Sequence, residues 1–238
     1  MDSEVGFFLN DEVLLEQALG TLEIPKTIRV KLVKSKRAPP HSTIVTIKER
    51  EDDKSSYEYV IEYRKSLNSH LLRHELCHLK LHLMGLPTAE GKVASAATDL
   101  KNQVLSTLHE DYYAELVMHQ KFPQSFHSVA MRGLDDDNHE VHVHDEHDEG
   151  LLAWFLQRYV LKLTIFEALD YKKESGIIAK AIEHLKEESH PELYSYLNAV
   201  ADLLRTLPPL DICLRQFTAD EKDSIREIIR KIDDVRGS

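Results

Sequence analysis

The stretch "RHELCHLKLHLMGLP", residues 73–87, decides how the rest of the chain reads. His74, Glu75 and His78 stand in an HExxH frame, and His70 and His82 extend the histidines into an i,i+4 ladder. On a helix, two histidines one turn apart present their imidazoles to a single point, as a zinc ion requires. Glu75, beside them, can take a proton from an activated water. Each i,i+4 step drifts about 40° around a helix, so His70 and His82 lie roughly 120° apart and cannot join one metal site. Glu75 follows His74 directly, which selects His74 and His78 as the chelating pair. His70 and His82 are then supporting or surface groups.

Chance alone gives an HExxH frame with probability about 0.08 in a chain so rich in His and Glu, so the frame needs context. The helix supplies some. Leu72, Leu76, Leu79 and Leu83 form one narrow stripe, a core-facing side, with Leu71, His74, Glu75 and His78 broadly opposite. Cys77 points to a different side and reads as a buried thiol. The spacing predicts a helix over 67–84, closed by Gly85 and Pro87.

Upstream, "DEVLLEQAL" (11–19) reads as a short helix ended by Gly20. Three segments rich in β-branched and aromatic residues follow as strands: 27–33, 42–48 and 57–63. The alternation expected of a hairpin is clearest in the last, where Tyr57, Tyr59, Ile61 and Tyr63 share one face. Downstream, a second long helix ends near Phe122 and Pro123. "GLDDDNHEVHVHDEHDEG" (133–150) is an acidic, histidine-rich segment that reads as a solvated loop, with a second metal site or a lid as the alternatives. The remainder is helical, with capping boxes at Ser189/Glu192 and Thr218/Glu221, and "LPPLD" (207–211) is an interhelical turn.

The 238 residues carry 30 basic and 41 acidic side chains, a formal charge of −11. That balance argues against gripping a nucleic-acid backbone, so no nucleic-acid partner is expected. The start of the chain has no basic and then apolar leader, and the most apolar run, "LLAWFLQRYVLKLTIFEAL", is broken by Gln157, Arg158 and Lys162. No membrane partner is expected. The only cysteines, Cys77 and Cys213, share no CxxC motif and read as reduced thiols of a cytoplasmic protein.

A catalytic zinc needs a third protein ligand and an open position. "STLHEDYYAELVMHQKFP" offers Glu110, Asp111, Glu115 and His109. Here the chain resembles the gluzincin metallopeptidases, whose third ligand is a glutamate on a second helix, often with a small residue four positions on. Glu110 and Ala114 fit that pattern, and the resemblance implies His74, His78 and Glu110 as ligands of Zn2+ with Glu75 as the catalytic base. The "AELVM" run is similar to one in the ImmA/IrrE-type peptidases. In layout the chain most resembles the minigluzincins over about residues 20–122: a three-stranded sheet, an active-site helix and a glutamate helix. That resemblance implies that "YEYVIEYR" borders the substrate cleft. Against Glu110 stands its own helix, whose stronger apolar stripe (Leu105, Leu108, Tyr112, Leu116) lies opposite, so the helix must be buried on two faces, with Ala114 and Val117 supporting the second.

The expectation is therefore an α+β, zincin-like core over 1–132, the acidic loop over 133–150, and a helical C-terminal extension over 151–238. Its function is zinc-dependent hydrolysis of a peptide or protein substrate. The extension is a packing module or a surface for a protein partner. Competing readings are a metal-binding regulatory protein with little peptidase activity, an interaction module, and an accidental frame with structural histidines.

Overall fold

Asn68 sets the start of the central helix. Its side chain accepts the backbone N–H groups of His70 and Leu71, two of the donors that a helix N-terminus leaves unsatisfied. The helix then runs Ser69–Leu83 and closes as the sequence predicts. Leu86 N–H reaches back to the Leu81 carbonyl, and Gly85 N–H to that of His82. Gly85 makes this possible with φ +78, a left-handed conformation that costs a glycine nothing. Leu72, Leu76, Cys77, Leu79 and Leu81 are buried, and Cys77 is a free thiol.

The structure is a computed structural model that describes residues 11–36, 43–49, 57–64, 68–88, 100–131, 149–187, 190–211 and 214–236. In chain order its elements are α1 (Asp11–Thr21), β1 (Arg29–Lys34), β2 (Thr43–Glu49), β3 (Tyr57–Tyr63), α2 (Ser69–Leu83), α3 (Leu100–Lys121) and α4 (Pro123–Ala130). Then follow α5 (Glu149–Phe155), a π-helical turn (Leu156–Val160), α6 (Leu161–Ala168), α7 (Lys172–Glu187), α8 (Pro191–Arg205) and α9 (Ala219–Arg236). The class is α+β, mostly helical with a small sheet. The first helix passes the expected stop at Gly20 by one residue, and the chain reverses at Glu23, which carries φ 54.

The sheet is mixed. Its order is β1-β3-β2, with β1 parallel and β2 antiparallel to β3. Only β2 and β3 are hairpin neighbours. The register sets Val30 and Ile47 beside Tyr59, and Leu32 and Val45 beside Ile61. Tyr59 and Ile61 are both buried, so this face carries the sheet's share of the core.

The C-terminal helices do not form a separate body. α3 packs on α2 along one side and on α5, α6 and α9 along others. One hydrophobic cluster runs from Leu22 and Ile61 through Leu108 and Val117 to Phe166 and Ile225. Ala114 and Val117 are fully buried, as a helix covered on two faces requires. The 207–211 turn is bonded into this core, because the Tyr113 hydroxyl donates to the Pro208 carbonyl at 2.6 Å and its ring meets Phe217 edge-on. The Thr218/Glu221 capping box is formed, Thr218 N–H donating to the Glu221 carboxylate at 2.7 Å and Glu221 N–H to the Thr218 hydroxyl at 3.3 Å. The other expected box involves Ser189, outside the described residues; α8 starts with His190 at its cap and Pro191 at its first position. No helix among the described residues is long and apolar enough to cross a membrane.

Because α3 is shared, the N-terminal part should not fold alone. A chain ending at residue 131 should lack a cooperative thermal transition, and in the full chain Tyr113→Ala should cost about 3–5 kcal/mol. Differential scanning calorimetry checks both. A fragment melting with the midpoint of the whole chain would contradict the shared core.

Candidate metal centre

One face of α2 brings His74 and His78 together. Their rings meet edge-on with centroids 4.7 Å apart, and their Nε2 atoms stand 3.0 Å from each other. From α3, Asp111 Oδ1 approaches to 3.2 Å of His78 Nε2 and 3.6 Å of His74 Nε2. The three ligating atoms lie within 4.8 Å of one another, a group that could hold a metal ion. Bonds of about 2.0–2.1 Å in a tetrahedral shell put donor atoms about 3.3 Å apart, and the observed spacings straddle that figure. The side chains of His74, His78 and Asp111 keep 17–18% of their surface accessible, so the group is sheltered yet open on one side.

Behind the pair, Glu115 Oε1 lies 3.0 Å from His74 Nδ1. A carboxylate there fixes the tautomer that leaves Nε2 free to ligate and raises its basicity. His70, the next rung down the ladder, turns away from the centre. Its Nδ1 is 3.2 Å from the Ser125 carbonyl on α4, and its ring lies roughly parallel to that of His74 at 6.4 Å. His82 is exposed. The ladder thus divides as helix geometry requires: one converging pair, one buttress and one surface histidine.

Electrostatics follow from the same contacts. Burial disfavours a charged His74, but the Asp111 and Glu115 carboxylates outweigh it and raise His74 well above the ordinary histidine value. Burial likewise opposes ionisation of Asp111, and the hydrogen bonds from His74 and His78 overcome it, holding the carboxyl well below the usual carboxylate range. Without an ion, Asp111 and Glu115 favour a proton on His74. With an ion, that proton is displaced.

Glu110, the third ligand implied by the gluzincin resemblance, does not meet the imidazoles; the carboxylate that closes on them is that of Asp111. The reason is helix register. Successive residues are about 100° apart, and α2 lies on the side of α3 that carries Asp111 and Glu115, one turn from each other. Glu110 sits round the helix with its carboxylate 3.9 Å from His109 Nε2. Its carboxyl is pushed up to about 7, chiefly by burial, with His78 opposing and Asp111 adding. His109 is buried and directed to the Pro87 carbonyl at 2.9 Å. Tyr112 and Tyr113 are core residues. Glu75 follows His74 directly in α2 and is partly buried, and its backbone carbonyl accepts the Tyr59 hydroxyl at 3.1 Å.

The resemblance also implies that β3 borders the cleft. In the sheet β3 is central and hydrogen-bonded on both sides, so the unpaired edges belong to β1 and β2. It meets α2 through the Tyr59 side chain instead. His139, His142, His144 and His147 of the acidic segment, and Cys213, lie outside the described residues. The role of Glu115 had a signal in the sequence: Asp111 and Glu115 repeat on α3 the one-turn spacing of His74 and His78 on α2.

Compared with protein-family models, with curated proteins and with solved structures, the chain matches none.

Metal analysis after dialysis should find Asp111→Ala stripped of the ion and Glu110→Ala close to the parent. Glu115→Gln should weaken binding by about 10–100-fold, since it alters only the orientation and basicity of His74. Because Asp111 and Glu115 raise His74 well above the ordinary histidine range, protons compete with the ion, and affinity should fall as pH drops from about 8 to about 6. Loss of the ion in Glu110→Ala with retention in Asp111→Ala would refute this register.

Proposed function

We propose that this protein is a zinc-dependent peptidase of zincin-like architecture, in which His74, His78 and Asp111 hold the ion and Glu75 is the general base. The observation that carries the reading is the convergence of two imidazole Nε2 atoms and one carboxylate oxygen on one point, next to a glutamate in the HExxH frame. The donor chemistry fits. Two neutral nitrogens and one carboxylate suit zinc, and three protein ligands leave a position open. The order of small sheet, histidine helix and carboxylate helix also agrees with the zincin layout, with an aspartate in the place that gluzincins give to glutamate.

An ion held there would supply Lewis acidity to a scissile carbonyl and bring the ionisation of water near neutral pH. The protein's own residues do the rest. Glu75 accepts the proton of the attacking water as its oxygen bonds to the carbonyl carbon, then passes that proton to the nitrogen leaving as the C–N bond breaks. Glu115 keeps His74 in its ligating tautomer, and Asn68 and Gly85 set the two ends of the helix that carries the pair. The substrate is a peptide or protein.

Glu75 is placed as a base and not as a ligand, so Glu75→Gln should keep the ion while lowering hydrolysis of a peptide library by about 10²–10⁴-fold. Equal turnover by parent and variant would sink the mechanism. A parent that binds zinc yet cleaves nothing would favour a metal-binding regulatory role instead.

A further inference from the structure

Two turns beyond Asp111 on α3, about 12 Å along the helix axis, a second group of ring donors converges. His119 Nε2 lies 3.0 Å from the Tyr171 hydroxyl, and that oxygen lies 3.3 Å from His127 Nε2. The three residues come from three elements: α3, α4 and the turn between α6 and α7. Their rings form a nearly equilateral set. Centroids are 5.9 Å apart for His119–His127, 5.8 Å for His119–Tyr171 and 5.8 Å for His127–Tyr171, and every pair is edge-on. The α6–α7 turn fixes the tyrosine firmly, through the left-handed Asp170 (φ 59) and a bond from Tyr171 N–H to the Phe166 carbonyl at 2.8 Å. All three side chains are partly buried, so the meeting point is lined by protein yet reachable by solvent.

Hydrogen bonding alone accounts for these distances only under a condition. The phenol has one proton and can donate it to one imidazole, so the other must donate its own Nε2–H to the phenol oxygen. The two histidines would then need opposite tautomers. A cation lifts that condition, because both imidazoles ligate in the same neutral form and the phenol contributes an oxygen. The two spacings to the phenol oxygen match the roughly 3.3 Å expected between donors in a tetrahedral shell, and resemble those of the His74, His78 and Asp111 group.

We infer that His119, His127 and Tyr171 form a second transition-metal site, separate from the first, which takes a divalent ion of the copper–zinc kind and ties α3, α4 and the α6–α7 turn together. Imidazole and phenolate suit these ions, and affinity for such a donor set peaks at Cu2+. On binding, the Tyr171 O–H proton passes to solvent and the phenolate oxygen takes its place on the ion, with water completing the shell. The inference is independent of peptidase activity and of the first centre.

The test uses the full-length His74→Ala chain, stripped of metal and titrated with Cu2+. The expected result is an ion bound with a visible tyrosinate-to-copper charge-transfer band and a higher melting temperature. Tyr171→Phe, which keeps the ring packing, should abolish the band and weaken binding by at least about 10–100-fold. His119→Gln and His127→Gln should do the same, and far-ultraviolet circular dichroism verifies that each variant is folded. Three outcomes overturn the inference: no Cu2+ bound, an ion bound without the band, or an ion retained with undiminished affinity in Tyr171→Phe. In the last two the ion sits on other histidines, and the cluster is a hydrogen-bond node.

Discussion

Two imidazoles on one helix face two carboxylates on another, each pair one turn apart. Asp111 meets His74 and His78, and Glu115 meets the far side of His74. Buried charge is costly unless it is paired, and this arrangement pairs it with or without an ion. It also fixes how α2 and α3 lie against each other, since a slip of either helix by one residue would turn its charged groups about 100° away from their partners. The hydrophobic cluster supplies most of the cohesion, and such a slip would turn the buried leucine side of α2 away from it as well. The polar row adds a directional constraint to that packing.

α3 therefore answers to two demands at once. Its acidic row must face α2, while Tyr113, Val117 and Met118 must be covered from elsewhere. The C-terminal helices provide that cover, which is why they are continuous with the core and why the turn at Pro208 is bonded to Tyr113. A chain of this length can bury a single large core, and here the helix that carries the carboxylates runs through it.

Local features were legible in the sequence. The C-terminal stop of α2, the Thr218/Glu221 box, the three strands and the leucine stripe all follow from residue chemistry that acts over a few positions. The pair His74 and His78 was legible for the same reason. Glu110 against Asp111 was not, because the choice depends on where α2 lies around α3, and an apolar pattern that covers nearly the whole helix leaves that angle open. Strand order was hidden too. Alternation identifies a strand and its buried face, and Tyr59 and Ile61 fall on it as expected, but nothing in residues 57–63 says that β3 has a neighbour on each side.

The mixed sheet has a consequence for how the molecule assembles. β2 and β3 are consecutive and antiparallel, so they can meet by closing one short loop. Among the described residues β1 pairs with β3, which lies beyond β2 in the chain. Lys34 at the end of β1 and Thr43 at the start of β2 flank Tyr63 from opposite sides, two strand spacings or about 9.5 Å apart. β3 leads directly into α2. Pairing β1 with β3 therefore closes a longer stretch of chain than pairing β2 with β3, and it carries the larger loop-closure cost of the two ladders.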